Sequence, residues 1–165
     1  MKKIILAGGC FWGVEGYFQQ LKGVVDTSVG YVDGNKKNPT YREVCDGTAT
    51  HAEAMEVTYD PEIITLENVL DQFFRIIDPF SRNRQGHDIG RQYRTGIYYN
   101  DEEDEAIIKS FMNHLFKDQI KRVQTEVKKN LDYELAESYH QDYLKKNPGG
   151  YCHVDMSLAK PEEKK

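Results

Sequence analysis

A short apolar run, Ile4-Ile5-Leu6-Ala7, stops at two glycines and is followed by a cysteine, two aromatic rings and a third glycine: Gly8-Gly9-Cys10-Phe11-Trp12-Gly13. From Val14 the apolar residues return with helical spacing, at Val14, Tyr17, Phe18 and Leu21. This order predicts a strand, a tight turn and a helix start, with a thiol at the junction. Paired glycines permit backbone angles closed to other residues and close approach of a second group. The first N–H groups of a helix have no partner inside it and point outward. A thiolate at that position is favoured by those donors and by the helix dipole, which contributes about 0.3–1 kcal/mol and about 2 in good geometry. The expectation is a Cys10 thiol lowered by up to ~1.5 units from ~8.5, and hence a usable nucleophile. The plainer alternative is a small buried hydrophobe. Phe11 and Trp12 suggest an apolar pocket beside the thiol, or simply core.

The rest of the chain bounds the possibilities. At 165 residues it reads as one domain, spanning about 1–158, with 159–165 as a solvated tail rich in Lys and Glu. The net charge of −5 argues against a general nucleic-acid binder. There is no apolar stretch long enough for a membrane span. The first residues lack a secretory pattern, which points to the cytoplasm. Cys10, Cys45 and Cys152 therefore read as thiols rather than a disulfide framework. Their spacing is not that of a zinc site, and no bound metal or cofactor is expected. A monomer is expected.

Strand patterns at 3–7, 24–32, 53–59, 93–99 and around 123–127 alternate with helical ones at 13–21, from Thr65 to Ile77, and from Asp101 to Phe116. A short helix is expected near 136–146, and residues 35–50 and 78–92 read as irregular. The fold class is α/β (α+β): a two-layer sandwich, with a small mixed sheet packed by helices and a long irregular C-terminal segment.

Strand parity draws attention to Glu53. In a strand over 53–59, Glu53 shares a face with Met55, Val57 and Tyr59, the more apolar side. A carboxyl group on a packed face has a raised pKa, and a shift of about 3 units would keep it protonated at neutral pH as a general acid. An edge carboxylate reaching water or a lysine is the alternative. Among eleven tyrosines, Tyr41 and Tyr93 stand beside loops, where a phenol can donate to a substrate oxygen, but spacing does not choose among them.

Further blocks complete a pattern. They are Pro39-Thr40-Tyr41-Arg42-Glu43-Val44-Cys45, His51-Ala52-Glu53-Ala54, Asp78-Pro79, Arg84-Gln85-Gly86-His87-Asp88-Ile89-Gly90-Arg91-Gln92-Tyr93-Arg94, His140-Gln141-Asp142-Tyr143-Leu144 and Asn147-Pro148-Gly149-Gly150-Tyr151-Cys152. Together with the Cys10 stretch, and in this order, they resemble the A-type peptide methionine sulfoxide reductases over nearly the whole chain. The resemblance implies reduction of methionine S-sulfoxide, free or in proteins. Cys10 would attack the sulfoxide sulfur. Glu53 would donate a proton to its oxygen, helped by Tyr41 and Tyr93. Phe11 and Trp12 would hold the methyl group, and Asp88 would bind substrate backbone. Cys152 matches the family's recycling cysteine, which forms a disulfide with Cys10 that thioredoxin reduces. Cys45 stands where some members carry a thiol not needed for turnover.

Two departures are visible. No cysteine follows Cys152, which implies a two-cysteine cycle, and His87 replaces the family's usual Asn beside Asp88. A cysteine hydrolase would instead need a histidine placed to activate Cys10, and a non-enzymatic redox sensor would need no Glu53.

Overall fold

The computed structural model describes residues 1–165. The first strand, β1 (Lys2–Gly8), leads through Gly9 and Cys10 into helix α1 (Phe11–Gln19), the turn expected at the glycines. Strand β2 (Val24–Val32) follows. Residues 35–50 are not wholly irregular: a one-turn helix, α2 (Tyr41–Asp46), starts there. It carries a capping box in which Thr40 Oγ1 accepts from the Glu43 N–H at 3.2 Å and Glu43 Oε1 accepts from the Thr40 N–H at 3.0 Å. The Thr-x-x-Glu spacing was the signal for it.

Strand β3 (Ala52–Tyr59) precedes α3 (Leu66–Ile76), capped by Thr65 as its position predicts. The loop of 78–92 contains a small hairpin, β4 (Arg84–Gln85) and β5 (Asp88–Ile89), then a 3₁₀ turn at Arg91–Tyr93. Strand β6 (Thr95–Tyr99), helix α4 (Glu102–Phe116), β7 (Glu126–Lys129), β8 (Glu134–Leu135) and a single helical turn, α5 (Tyr143–Lys146), complete the chain. The short helix expected over 136–146 is thus a 3₁₀ turn at Ser138–His140 and α5, with Gln141 and Asp142 between them.

The six-stranded sheet runs β7-β6-β1-β3-β2-β8. Only β6 and β7 are parallel, so the sheet is mixed, as expected. One face carries the main core: Ile4 and Leu6 of β1, Met55, Val57 and Tyr59 of β3, and the apolar sides of α1, α3 and α4. The opposite face holds a smaller cluster, Ile5, Ala7, Val32, Ala52, Ala54 and Tyr98, with Tyr133 laid against it. Burial on both faces explains why β1 reads as a continuous apolar run and gives no alternation.

The C-terminal segment is long and largely irregular, but its last residues are not a solvated tail. Ala159 is buried, the Lys22 N–H donates to the Glu163 carbonyl at 2.8 Å, and the Lys165 N–H donates to the Gln20 carbonyl at 2.9 Å. Arg75 on α3 binds Glu163 with both its terminal nitrogens, at 2.7 and 2.8 Å. Composition made these residues look soluble; pairing with backbone and with one arginine fastens them.

Candidate active site

The end of β1 and the first turn of α1 place Cys10 at the helix N-cap, 7% exposed. Gly9, at φ +86°, makes the turn that puts it there. The Trp12 and Gly13 N–H groups act on the sulfur in the stabilising sense foreseen for a helix start. They do not dominate. Burial pushes the thiol well above its ordinary range, and the nearby Glu53 carboxylate adds to that. The expected lowering of the Cys10 pKa is therefore reversed in the resting site. Desolvation of a buried thiolate is larger than the roughly 0.3–2 kcal/mol available from the dipole. The thiolate has to form with help from a bound substrate or from protonation of Glu53.

Glu53 enters from the start of β3, 1% exposed, on the packed face that parity foresaw. Burial raises its carboxyl group to about 8, against an opposing hydrogen bond from the Phe11 N–H. That bond goes to Oε1 at 3.1 Å. Oε2 is buried with no hydrogen-bond partner in the protein. The group is thus held by one oxygen and free to carry a proton on the other, and it lies close enough to Cys10 to raise its pKa.

Both tyrosines belong to the same cluster. Tyr41 opens α2 and Tyr93 closes the 3₁₀ turn before β6. Burial, with the Glu53 charge next, pushes both phenols up, so both stay protonated donors. Tyr93 also feels Asp88 and Cys10. Asp88, on β5, accepts from the Tyr151 hydroxyl at 2.9 Å. His87 is exposed at the tip of that hairpin.

The two aromatic residues differ. Phe11 is 1% exposed and sits among Tyr31, Tyr41 and His140, with ring centroids 5.8, 6.4 and 5.1 Å away. Trp12 is half-buried, stacked on Tyr143 at 3.8 Å, and its indole N–H donates to His140 Nδ1 at 3.1 Å. Phe11 is chiefly core, and Trp12 offers the freer ring face.

Cys10, Cys45 and Cys152 are all free thiols. The Cys152 thiol donates to the Val154 carbonyl at 3.2 Å, and the following residue, His153, bonds the Gly8 carbonyl. Cys45 is exposed on α2, one turn beyond Tyr41, whose phenol acts on it.

Several positioning residues carried no assigned role in the sequence, although Gln85 and Gln141 lie within the blocks that carry the resemblance. Glu137 accepts from the Tyr31 hydroxyl at 2.7 Å and from the Tyr41 N–H at 2.8 Å, tying α2 to β2. Gln141 brackets β2 by accepting from the Val29 N–H and donating to the Val29 carbonyl, both at 2.8 Å. Gln85 does the same for Asp78, at 2.9 and 2.8 Å. The Glu137 and Gln141 pairings join positions about a hundred apart, so no local pattern announces them, whereas Gln85 and Asp78 are neighbours in the same loop. No histidine is among the groups that chiefly act on Cys10, and His140, His153 and His51 are bonded to Trp12, the Gly8 carbonyl and the Lys36 carbonyl. No hydrogen bond joins a histidine to the sulfur, as a cysteine hydrolase's base would.

Residues 2–165 match the family described as peptide methionine sulfoxide reductase. A peptide methionine sulfoxide reductase MsrA from Clostridium tetani is 56% identical over 156 residues, covering 94% of this chain and 95% of that protein. The structure of Mxr1 from Saccharomyces cerevisiae in reduced form superposes with a TM-score of 0.87 at 36% identity, covering 93% of this chain and 91% of that one. Mxr1 in complex with Trx2 is also similar, with a TM-score of 0.60 at 26% identity, covering 86% of this chain and 84% of that one.

Proposed function

The chain belongs to the peptide methionine sulfoxide reductase family, A type, and from that premise we propose which of its side chains carry the reduction. The activity is thiol-dependent conversion of methionine S-sulfoxide to methionine. The observation that carries the assignment is the pairing of a buried, singly held Glu53 with Cys10 at a helix start.

In the first step the Cys10 sulfur attacks the sulfoxide sulfur. Negative charge moves onto the sulfoxide oxygen, where a proton from Glu53 Oε2 and hydrogen bonds from Tyr41 and Tyr93 strengthen as the charge grows. Interactions that strengthen in this way lower the barrier rather than merely binding substrate. The Trp12 face, with Phe11 behind it, receives the methyl group, and Asp88 accepts from substrate backbone. Oxygen passes to Cys10, releasing methionine and leaving a sulfenic acid. Cys152 then condenses with that sulfenic acid to give a disulfide and water, and a thioredoxin dithiol reduces the disulfide. The complex of Mxr1 with Trx2 supports thioredoxin as the partner. The proposal includes action as a monomer in the cytoplasm.

The test is a free-thiol count on the fully reduced protein, mixed under argon with a methionine S-sulfoxide peptide and separately with the R epimer. Two thiols are lost with the S form alone, and Cys152→Ser stops the reaction at the Cys10 sulfenic acid. No loss with either epimer sinks the assignment.

A further inference from the structure

The glycines around Cys10 have a second occupant. His153 Nε2 lies 2.9 Å from the Gly8 carbonyl oxygen, so the proton is on Nε2 and the bond is donated by the imidazole. The other ring nitrogen, Nδ1, is buried and has no partner. A Cβ added at Gly9 would stand 2.9 Å from Nε2, and one added at Gly13 would stand 3.1 Å from Nδ1. Both are closer than a side chain tolerates without a shift. Gly9 is needed for its positive φ in any case, but Gly13 lies in the regular first turn of α1. Its missing Cβ makes room for His153 and for Val154, whose methyl would stand 3.1 Å away. Gly9 and Gly13 thus form a cradle on either side of Cys10, closed by the Gly8 carbonyl and filled by an imidazole from the far end of the chain.

We propose that His153 is a positioning residue for the recycling step: docked in this glycine cradle, it holds the neighbouring Cys152 beside Cys10. The proposal rests on Cys152 being the resolving thiol. Its neighbour is one peptide unit away, about 3.8 Å between Cα atoms. On one side the strand of chain is fixed by Val154, which is buried in the main core. On the other side, Pro148-Gly149-Gly150 is largely exposed, and Tyr151 is tied by its hydroxyl to Asp88. Cys152 itself borders a cavity of about 500 Å³ with Gly16, Gln20, Leu144 and Met156, which leaves the thiol room to turn. A fixed pivot after Cys152, bonded to the Gly8 carbonyl two residues before Cys10, and a glycine hinge before it let the thiol swing about an anchored point. Without the pivot, Cys10 and Cys152 are joined by a long loop with a correspondingly lower effective concentration.

The step that depends on this is balanced within the protein. The Cys152 sulfur forms a bond to the Cys10 sulfur, the S–O bond of the sulfenic acid breaks, and the hydroxyl leaves as water with the Cys152 thiol proton. Cys152 is oxidised as the sulfenic sulfur is reduced.

The experiment is a single turnover of the reduced full-length protein with a methionine S-sulfoxide peptide and no external reductant. Methionine formed and thiols remaining are followed together, and a 1,3-dione traps sulfenic acid. In His153→Ala, methionine appears at the wild-type rate, while loss of the second thiol slows by about tenfold or more, the scale of one lost hydrogen bond in a barrier. The trapped sulfenic acid rises accordingly. His153→Gln, whose amide N–H can reach the Gly8 carbonyl, recovers part of the rate; His153→Asn, which is too short, does not. Should the alanine variant fail to fold, the Gln and Asn pair carries the comparison. Disulfide closure at the wild-type rate in the Ala and Asn variants overturns the proposal, as does an equal slowing of both steps. Failure of the wild-type protein to form methionine removes the reductase assignment itself, and the anchor with it.

Discussion

The Phe11 N–H donates to Glu53 Oε1 at 3.1 Å, binding the residue that follows Cys10 to a carboxyl group 42 positions along the chain. The bond orients the carboxyl group, and it opposes the rise in pKa that burial causes. Oε2 is left as the one oxygen free to exchange a proton with substrate.

Activity follows the protonation of that oxygen. Glu53 acts as a donor only when protonated, so turnover declines as pH rises through about 8, the value to which burial raises it. Glu53→Gln lowers the rate of methionine formation by about 10²-fold or more, the low end of what a general acid supplies, and loses the decline near pH 8. Single-turnover rates between pH 6 and 10 measure both. A variant with near-normal rates and an unchanged profile would exclude proton donation by Glu53.

Stability moves in the same direction. The folded-state pKa of Glu53 lies above its unfolded value, so between the two the folded protein holds a proton that the unfolded chain has lost. The penalty for burying this group is absent below about pH 4, grows as pH rises, and is complete above about 8. At roughly 1.4 kcal/mol per unit it reaches about 5 kcal/mol. Glu53→Gln keeps an acceptor for the Phe11 N–H and carries no charge. Its denaturant midpoint relative to wild type therefore rises between pH 5 and pH 9, and an unchanged difference would show that Glu53 is not desolvated.

Tyr41 and Tyr93 both feel the Glu53 charge, burial keeps both protonated across the working range, and the proposal gives them one task. Tyr41→Phe and Tyr93→Phe each slow methionine formation by about tenfold or more, in kcat rather than KM, because the bonds they lose form to charge that develops in the transition state. An effect confined to KM would make them binding groups only.

The one ion pair that fastens the C-terminal residues makes their contribution to stability pH-dependent. Arg75 holds Glu163 to about 2, far below the ordinary carboxylate range. Such a group stabilises the fold above its unfolded pKa, and the contribution is lost as pH falls toward about 2. Both side chains are partly exposed, so Glu163→Gln costs about 1 kcal/mol at pH 7 and nothing at pH 2. Urea unfolding at the two pH values tests this; no loss at pH 7 would return these residues to the role of a solvated tail.

The sequence by itself determined the elements and the chemistry they carry. The Gly8-Gly9-Cys10 turn, the capped helix after Thr65 and the parity that buries Glu53 are local rules, written in glycine, in a capping threonine and in alternation. The helix at Tyr41 contradicts the irregular reading of 35–50: its local signal, Thr40 with Glu43, stood among polar residues that masked it. Only the tertiary structure decided the electrostatics of Cys10, because desolvation depends on what packs over a group, and no neighbour in sequence reports that. The same holds for Glu137 bridging Tyr31 and Tyr41, for Arg75 fastening Glu163, and for His153 in the glycine cradle. Each joins residues more than eighty positions apart, where folding alone supplies the partner.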